Sequence, residues 1–427
     1  MKPARKKLDY TWVMVFACFM LGFFCLGFCS GNKGIYLAAI TEALQIPRSL
    51  FSLNDSIRYL TTASVNLVFA TVLHKLGVRK MVAAGVISLT IQCVISALAT
   101  KVWQFYIAGF FLGLGLALCT TTMISFVIRR WCKENTGKIL GFVLAANGVG
   151  SALATQIVSP MLYESGDPFG YRNAYWMMAV ILVIVGIIVV PLMKEQPAQV
   201  PAASGKKASK SRDWPGMDYE EVKKKPYFYA AAICIFLTGM CLQGLSGISA
   251  AHMRDAGLDP QTVASVTSLM SLMLAVSKFL AGFSYDKFGI RFTMTFCDVS
   301  STLATSLLAL VSATALGIGI ASAHSVFTAL ALPLETIMLS IFASELFGNK
   351  AFAHTMGVFA AVNTAGYAAG TPIANWCFDT FGTYIPVILT YCGIMLAVTI
   401  AFQFILNAAY RERKKIMAQE VVYEKEA

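Results

Sequence analysis

Charge is what this sequence lacks most. Only 13% of its 427 residues are Asp, Glu, Lys or Arg, where an ordinary soluble domain carries about a quarter. Histidine is scarce too, with four in the chain. No Cys-x-x-Cys pair, Cys/His cluster, phosphate loop or nucleophile elbow occurs, which removes metal centres, nucleotide-driven pumps and hydrolases. No cofactor, no metal and no enzymatic step are expected. The eleven cysteines do not make a disulfide framework, because all but Cys132 lie in apolar runs and read as small core residues. A long basic tract is also missing. The net charge of +12 is scattered through short connectors, so nucleic acid is excluded as a partner and the bases mark topology instead. The N-terminal Lys2, Arg5, Lys6 and Lys7 precede an apolar run too long for a signal peptide, and no small-residue cleavage or lipid-attachment site follows. The first helix is expected to stay in the membrane.

What the chain has in abundance is apolar length, with 57% hydrophobic residues. Stretches of about 20 apolar residues, enough to cross roughly 30 Å of hydrocarbon, can be marked off twelve times. They run near 12–36, 50–73, 80–99, 103–128, 137–162, 173–193, 227–251, 262–284, 292–312, 315–343, 354–377 and 383–407. Residues 194–226 hold Pro197, Pro201, Ser204, Gly205, Pro215 and Gly216 among charges and read as a linker, with a short interfacial helix near Asp218 to Lys225. An N-terminal six-helix bundle over 1–193 and a C-terminal one over 227–427, ending in a short tail, are expected. With the N-terminus inside, cytoplasmic segments hold 27 Lys and Arg and outer connectors hold 4, namely Arg48, Lys101, Arg172 and Arg254. That excess predicts both termini in the cytoplasm of a multi-pass plasma-membrane protein.

The halves repeat. Ala70 through Arg79, with His74, Lys75 and Gly77, matches Gly282 through Arg291, with Asp286, Lys287 and Gly289, at an offset of 212. Gly141, Ala145, Asn147 and Gly150 match Gly357, Ala361, Asn363 and Gly366 at an offset of 216. Gly31, Gly34 and Ile35 match Gly244, Gly247 and Ile248 at 213. A six-plus-six duplication follows, with a pseudo-twofold axis along the membrane normal.

At these residues the chain resembles the major facilitator superfamily. That family's loop follows Gly-x-x-x-Asp-Arg/Lys-x-Gly-x-Arg, which Gly282, Asp286, Lys287, Gly289 and Arg291 match, while the first half keeps Lys75, Gly77 and Arg79 but carries Ala70 and His74. The resemblance implies an all-α fold of twelve transmembrane helices and conformational latch loops at these two sites. In them the glycine at 282 would allow close helix approach and the acid would cap a neighbouring helix N-terminus. A narrower likeness is to monocarboxylate transporters and oxalate/formate antiporters. The stretch Trp131-Cys132-Lys133 through Gly137, Gly141, Ala145 and Gly148 resembles their fourth-to-fifth-span signature. Lys278 stands where these families carry a carboxylate-binding arginine, and Lys33 resembles a lysine of the first span. The chain departs from the pattern at Leu274, where the monocarboxylate branch has an aspartate. It departs again in the eleventh span, which offers Asn363 and Tyr367 instead of a lysine.

A charge placed within a span is costly and so faces a wet cavity or a partner. For Lys278 three readings stand: contact with an anionic substrate, a structural ion pair, or snorkelling to the cytoplasm. Lys33, with Ser30, Asn32 and Tyr36 within a turn, either binds or gates an anion or snorkels outward. Asp55 and Arg58, three apart, suit an intrahelical pair at the rim. Glu335 and Asp298, acids within apolar spans, are candidates for proton coupling, and His324 is a weaker one. Asn147 and Asn363 either line the cavity as donors or tie helices together. Gly109, Gly113, Gly115, Gly366 and Gly370 read as close-packing positions.

The leading reading is a secondary transporter of a small organic anion, a monocarboxylate first, driven by a proton or a counter-anion and working as a monomer in the bilayer. Its substrate would meet Lys278, Lys33, Asn147, Asn363 and Tyr36. An exporter of amphiphilic drug-like or steroid-like compounds and a non-transporting nutrient sensor are the alternatives.

Overall fold

The computed structural model describes residues 10–132, 136–195, 216–348 and 350–426. Lys2, Arg5, Lys6, Lys7, Lys133 and linker residues 196–215 lie outside them. No strand occurs among the described residues, and every long element is a helix. Hydrocarbon offers no hydrogen bonds, so a spanning segment must satisfy each peptide group internally, as a helix does.

The chain forms two compact units, one of Met1–Pro201 with Asp259–Ala275 and one of Ala202–Leu258 with Val276–Ala427. In the first, a broken run over Tyr10–Leu44 is followed by Arg48–Leu98, by Val102–Cys119 continuing as Thr121–Trp131, and by Thr136–Tyr163 and Gly170–Leu192. The second holds Pro226–Asp255, most of Pro260–Ala309, the interrupted segment from Ala315 to Phe347, Phe352–Phe381 and Ile385–Glu426. The expected interfacial helix is a single turn, Tyr219–Val222, flanked by a Lys223–Glu220 ion pair at 2.7 Å.

Nine helices among the described residues are long and apolar enough to cross a membrane. The sequence reading counted twelve stretches, and the difference has physical sources. Pro260–Ala309 contains two of those stretches in one element of 50 residues, 50–73 is diluted by Asn54, Asp55, Arg58 and Asn66, and 354–377 by Asn363, Thr364, Thr371 and Asn375. Exposed surface is strongly apolar: Leu67, Ile187, Phe279 and Phe404 each leave at least 70% of their surface uncovered, which a protein facing only water would not tolerate in such number.

The two long helices are bent at the repeat motif. Gly77 (φ 76°, ψ 162°) breaks Arg48–Leu98, and Gly289 (φ 79°, ψ 176°) breaks Pro260–Ala309. Both conformations lie in a region that an L side chain resists, so glycine reverses the chain there. Other glycines bring backbones together. A methyl at Gly109 or Gly113 would overlap the Asn54 or Arg58 carbonyl, and one at Gly366 or Gly370 would overlap that of Phe236 or Met240. Gly282 corrects the sequence reading. Nothing lies within 4 Å of where its Cβ would stand, so close helix approach does not account for it.

Candidate functional site

The first unit gathers its charges where the first helix stops being regular. After Tyr10–Met20 the backbone opens into a π-helix over Leu21–Gly31. It breaks at Asn32 (φ −103°, ψ 7°) and makes one 3-10 turn, Lys33–Ile35. Such interruptions aim side chains away from the stripe that a continuous α-helix would give them. Lys33 Nζ donates to Asp55 Oδ1 at 2.6 Å and to Asn54 Oδ1 at 2.7 Å. Arg58 stands 3.2 Å from the same Asp55 oxygen, donates to Ser30 Oγ at 2.8 Å and lies over the Tyr59 ring. Lys33 therefore does not snorkel, and the Asp55–Arg58 pair extends to a third residue on another helix.

Two cations share one carboxylate, so the triad carries one surplus positive charge. Its side chains are about one fifth exposed or less. Beside it, the amide oxygen and nitrogen of Asn32 and the Oδ1 of Asn147 are buried without a hydrogen-bond partner. Asn147 Oδ1 lies 3.6 Å from where a Gly31 Cβ would stand, which sets it against the end of the π stretch. The surplus charge and the Asn32 amide nitrogen, the donor among these three atoms, are suited to an anion, while the two amide oxygens can accept only from a guest's hydroxyl or amide hydrogen. Tyr36 does not join this group: its hydroxyl donates to Met178 Sδ at 3.2 Å and its ring stacks on Tyr175.

In the second unit the site is built on a broken helix. Ala315–Ala331 gives way to the 3-10 turn Leu332–Glu335, then to Thr336 (φ −125°, ψ −85°), before Ile337–Phe347 resumes. Pro333 has no amide hydrogen, which helps to end the α pattern, and side chains take the place of the missing backbone partners. Asn363 Nδ2 donates to Tyr367 Oη at 2.6 Å, and both residues reach the Glu335 carbonyl at 3.4 Å. The Glu335 carboxylate, 7% exposed, accepts from Gln243 Nε2 at 2.7 Å. Half-buried Lys278 makes no ion pair within 4 Å among the described residues, and Glu335 is the acid whose charge reaches it. Lys278, Glu335 and Asn363 thus belong to one neighbourhood, and Gln243 and Tyr367 complete it.

Asp298 and His324 stand elsewhere in this unit. Asp298 is fully buried, and His324 Nδ1 meets the Ala304 carbonyl at 2.8 Å.

The two loops of the repeated motif differ between the halves. His74, Lys75 and Arg79 are exposed, and Val78, which restarts the helix after Gly77, donates its amide to Glu195 Oε1 at 2.8 Å. A carboxylate from the end of the sixth apolar run thus caps the loop whose own acid is replaced by His74. In the second half Asp286 and Lys287 are exposed, Arg291 donates to Asn407 at 2.5 Å, and Tyr285 donates to Glu345 at 2.8 Å. Glu345 also pairs with Arg413 at 3.3 Å. Sequence reasoning passed over Glu195 and Glu345; each is a lone acid at the end of an apolar run, and that is the only signal the sequence offers for them.

Comparison with known proteins agrees with this architecture. The Bacillus subtilis protein described as an uncharacterized MFS-type transporter, YcxA, is 23% identical over 296 residues, covering 68% of each chain. Human monocarboxylate transporter 2 is 22% identical over 460 residues, covering 98% of this chain and 90% of its own. The crystal structure of the nucleoside transporter NupG superposes with a TM-score of 0.73 at 15% identity, covering 93% of this chain and 99% of that one. The model of the Major Facilitator Superfamily matches residues 19–332 and 231–421, and the chain belongs to that family of membrane transporters.

Proposed function

We propose that this transporter carries a small organic anion, a monocarboxylate in the first instance, by alternating access coupled to a proton or to a counter-anion. The observation that supports it most is that Lys278 feels the charge of Glu335, whose carboxylate and carbonyl are held by Gln243, Asn363 and Tyr367. While Glu335 is ionised it compensates Lys278. A proton on Glu335 leaves the ammonium uncompensated, and a substrate carboxylate then becomes its best partner. Release of both restores the pair and lets the empty carrier return, which is the economy a symporter needs. The surplus charge of Lys33, Asp55 and Arg58, with Asn147 beside it, supplies a second anion-attracting group. Asp298 is the alternative acid for coupling.

The human relative's name, a monocarboxylate transporter, agrees with the substrate class. The distribution of bases supports a plasma-membrane protein with both termini cytoplasmic. The repeats support bundles over 1–193 and 227–427 joined by 194–226, acting as a monomer. The test is uptake of labelled lactate or pyruvate into proteoliposomes of the purified chain. Lys278→Ala is expected to abolish it and Lys278→Arg to keep a fraction. Uptake by Lys278→Ala at the normal rate would refute the assignment.

A further inference from the structure

The described residues leave one group of buried polar atoms unexplained, away from Lys278 and Glu335. Both carboxylate oxygens of Asp298, Ser301 Oγ, Thr328 Oγ1 and His324 Nε2 are buried without a hydrogen-bond partner. The residues are 0–2% exposed. Asp298 and Ser301 are three apart on Pro260–Ala309, and His324 and Thr328 are four apart on Ala315–Ala331, so each pair shares a helix face.

The bond from His324 to the Ala304 carbonyl fixes the register between these helices, which run antiparallel across the short connection 310–314. Stepping along both from that contact sets Thr328 level with Ser301, and Asp298 level with the start of the broken turn at Leu332. A carbonyl can only accept, so His324 Nδ1 carries the hydrogen and Nε2 of the neutral ring is a bare acceptor. The group is therefore rich in acceptors, gains one negative charge when Asp298 is ionised, and its members do not bond one another. Buried polar atoms that share one level between two helices without pairing leave a place for a guest.

We propose that Asp298, Ser301 and Thr328 form a site for a small monovalent cation, Na+, between these two helices. Asp298 supplies the charge and the two hydroxyls supply neutral oxygens, the donor chemistry a hard cation prefers. The two helices are close enough for His324 Nδ1 to meet the Ala304 carbonyl at 2.8 Å, and a gap between oxygens on helices so closely packed suits Na+ over the larger K+. The inference does not depend on the identity of the transported anion.

The test is thermal unfolding of the full chain in detergent, with NaCl, KCl or choline chloride at constant ionic strength. The midpoint of the unaltered protein is expected to rise saturably with Na+ alone, by about 5 °C at saturation. Asp298→Asn should lose that response. Thr328→Val, which keeps the shape and the charge, should need several-fold more Na+ to show it. Should Asp298→Asn fail to fold, Thr328→Val and Ser301→Ala carry the comparison. Equal midpoints in the three salts would overturn the site, as would a Na+ response undiminished in the variants. So would a midpoint that answers to acidification and not to Na+. In that case Asp298 holds a proton, and the other titratable groups in its surroundings are Cys234, Cys297 and His324, with His252 beyond His324.

Discussion

Glu195 accepts the amide hydrogen of Val78 at 2.8 Å across 117 residues of chain. The bond joins the end of the sixth apolar run to the turn between the second and third. A methyl on Gly77 would strike the same carboxylate, so the glycine provides both the backbone angle and the room for the acid.

Replacing Glu195 by Ala should lower stability in detergent by about 0.5–1 kcal/mol, the usual cost of losing a helix cap at an exposed site. Gly77→Ala should cost more, roughly 1–3 kcal/mol, because it adds a left-handed alanine to the lost cap. Equal unfolding midpoints for the two variants would show that the left-handed backbone angle adds nothing to Gly77's role beyond making room for the carboxylate.

The Lys33–Asp55–Arg58 triad predicts an asymmetry. Asp55→Asn leaves two cations unneutralised, whereas Lys33→Met leaves Asp55 still paired with Arg58, so the aspartate variant should be the less stable. A double-mutant cycle between 33 and 55 should return a coupling of about 1–3 kcal/mol. Additivity would mean that the 2.6 Å contact carries no net energy.

Glu335→Gln keeps the shape of the side chain and removes its charge. If Glu335 is the proton carrier, flux through this variant should no longer rise when the outer solution is acidified, while exchange of labelled for unlabelled anion continues. A variant whose uptake still follows the proton gradient would move the coupling role to another acid.

Gly370 packs against the Met240 carbonyl and Gly366 against that of Phe236. Alanine at either position should cost roughly 1–3 kcal/mol by forcing two helices apart, read as a fall in unfolding midpoint. Gly282→Ala and Gly357→Ala, with nothing within 4 Å of the added carbon, should leave the midpoint unchanged.

The apolar runs and the repeat made the helices, their order and the equivalence of Gly77 with Gly289 readable from the sequence, because each is a local property of composition or spacing. Lys278 and Lys33 were readable as outliers, since a base inside an apolar run needs a reason. Their partners were not. Asp55 lies 22 positions from Lys33 and Glu335 lies 57 from Lys278, and no periodicity joins residues that meet only through packing. Gln243 was silent for the same reason, and Tyr367 showed only as a departure from a lysine, because its use depends on a carbonyl freed by a broken helix. The π stretch was hidden because its residues are uniformly apolar, and a stripe cannot be read where every face is the same.

That π stretch has a mechanical corollary. Eleven residues wound in wide turns make fewer revolutions than the same eleven in an α-helix. Tightening Leu21–Gly31 would therefore twist everything beyond it about the helix axis, and Lys33 is among the first residues to swing. The ammonium could leave Asp55 by rewinding alone, with neither helix having to slide.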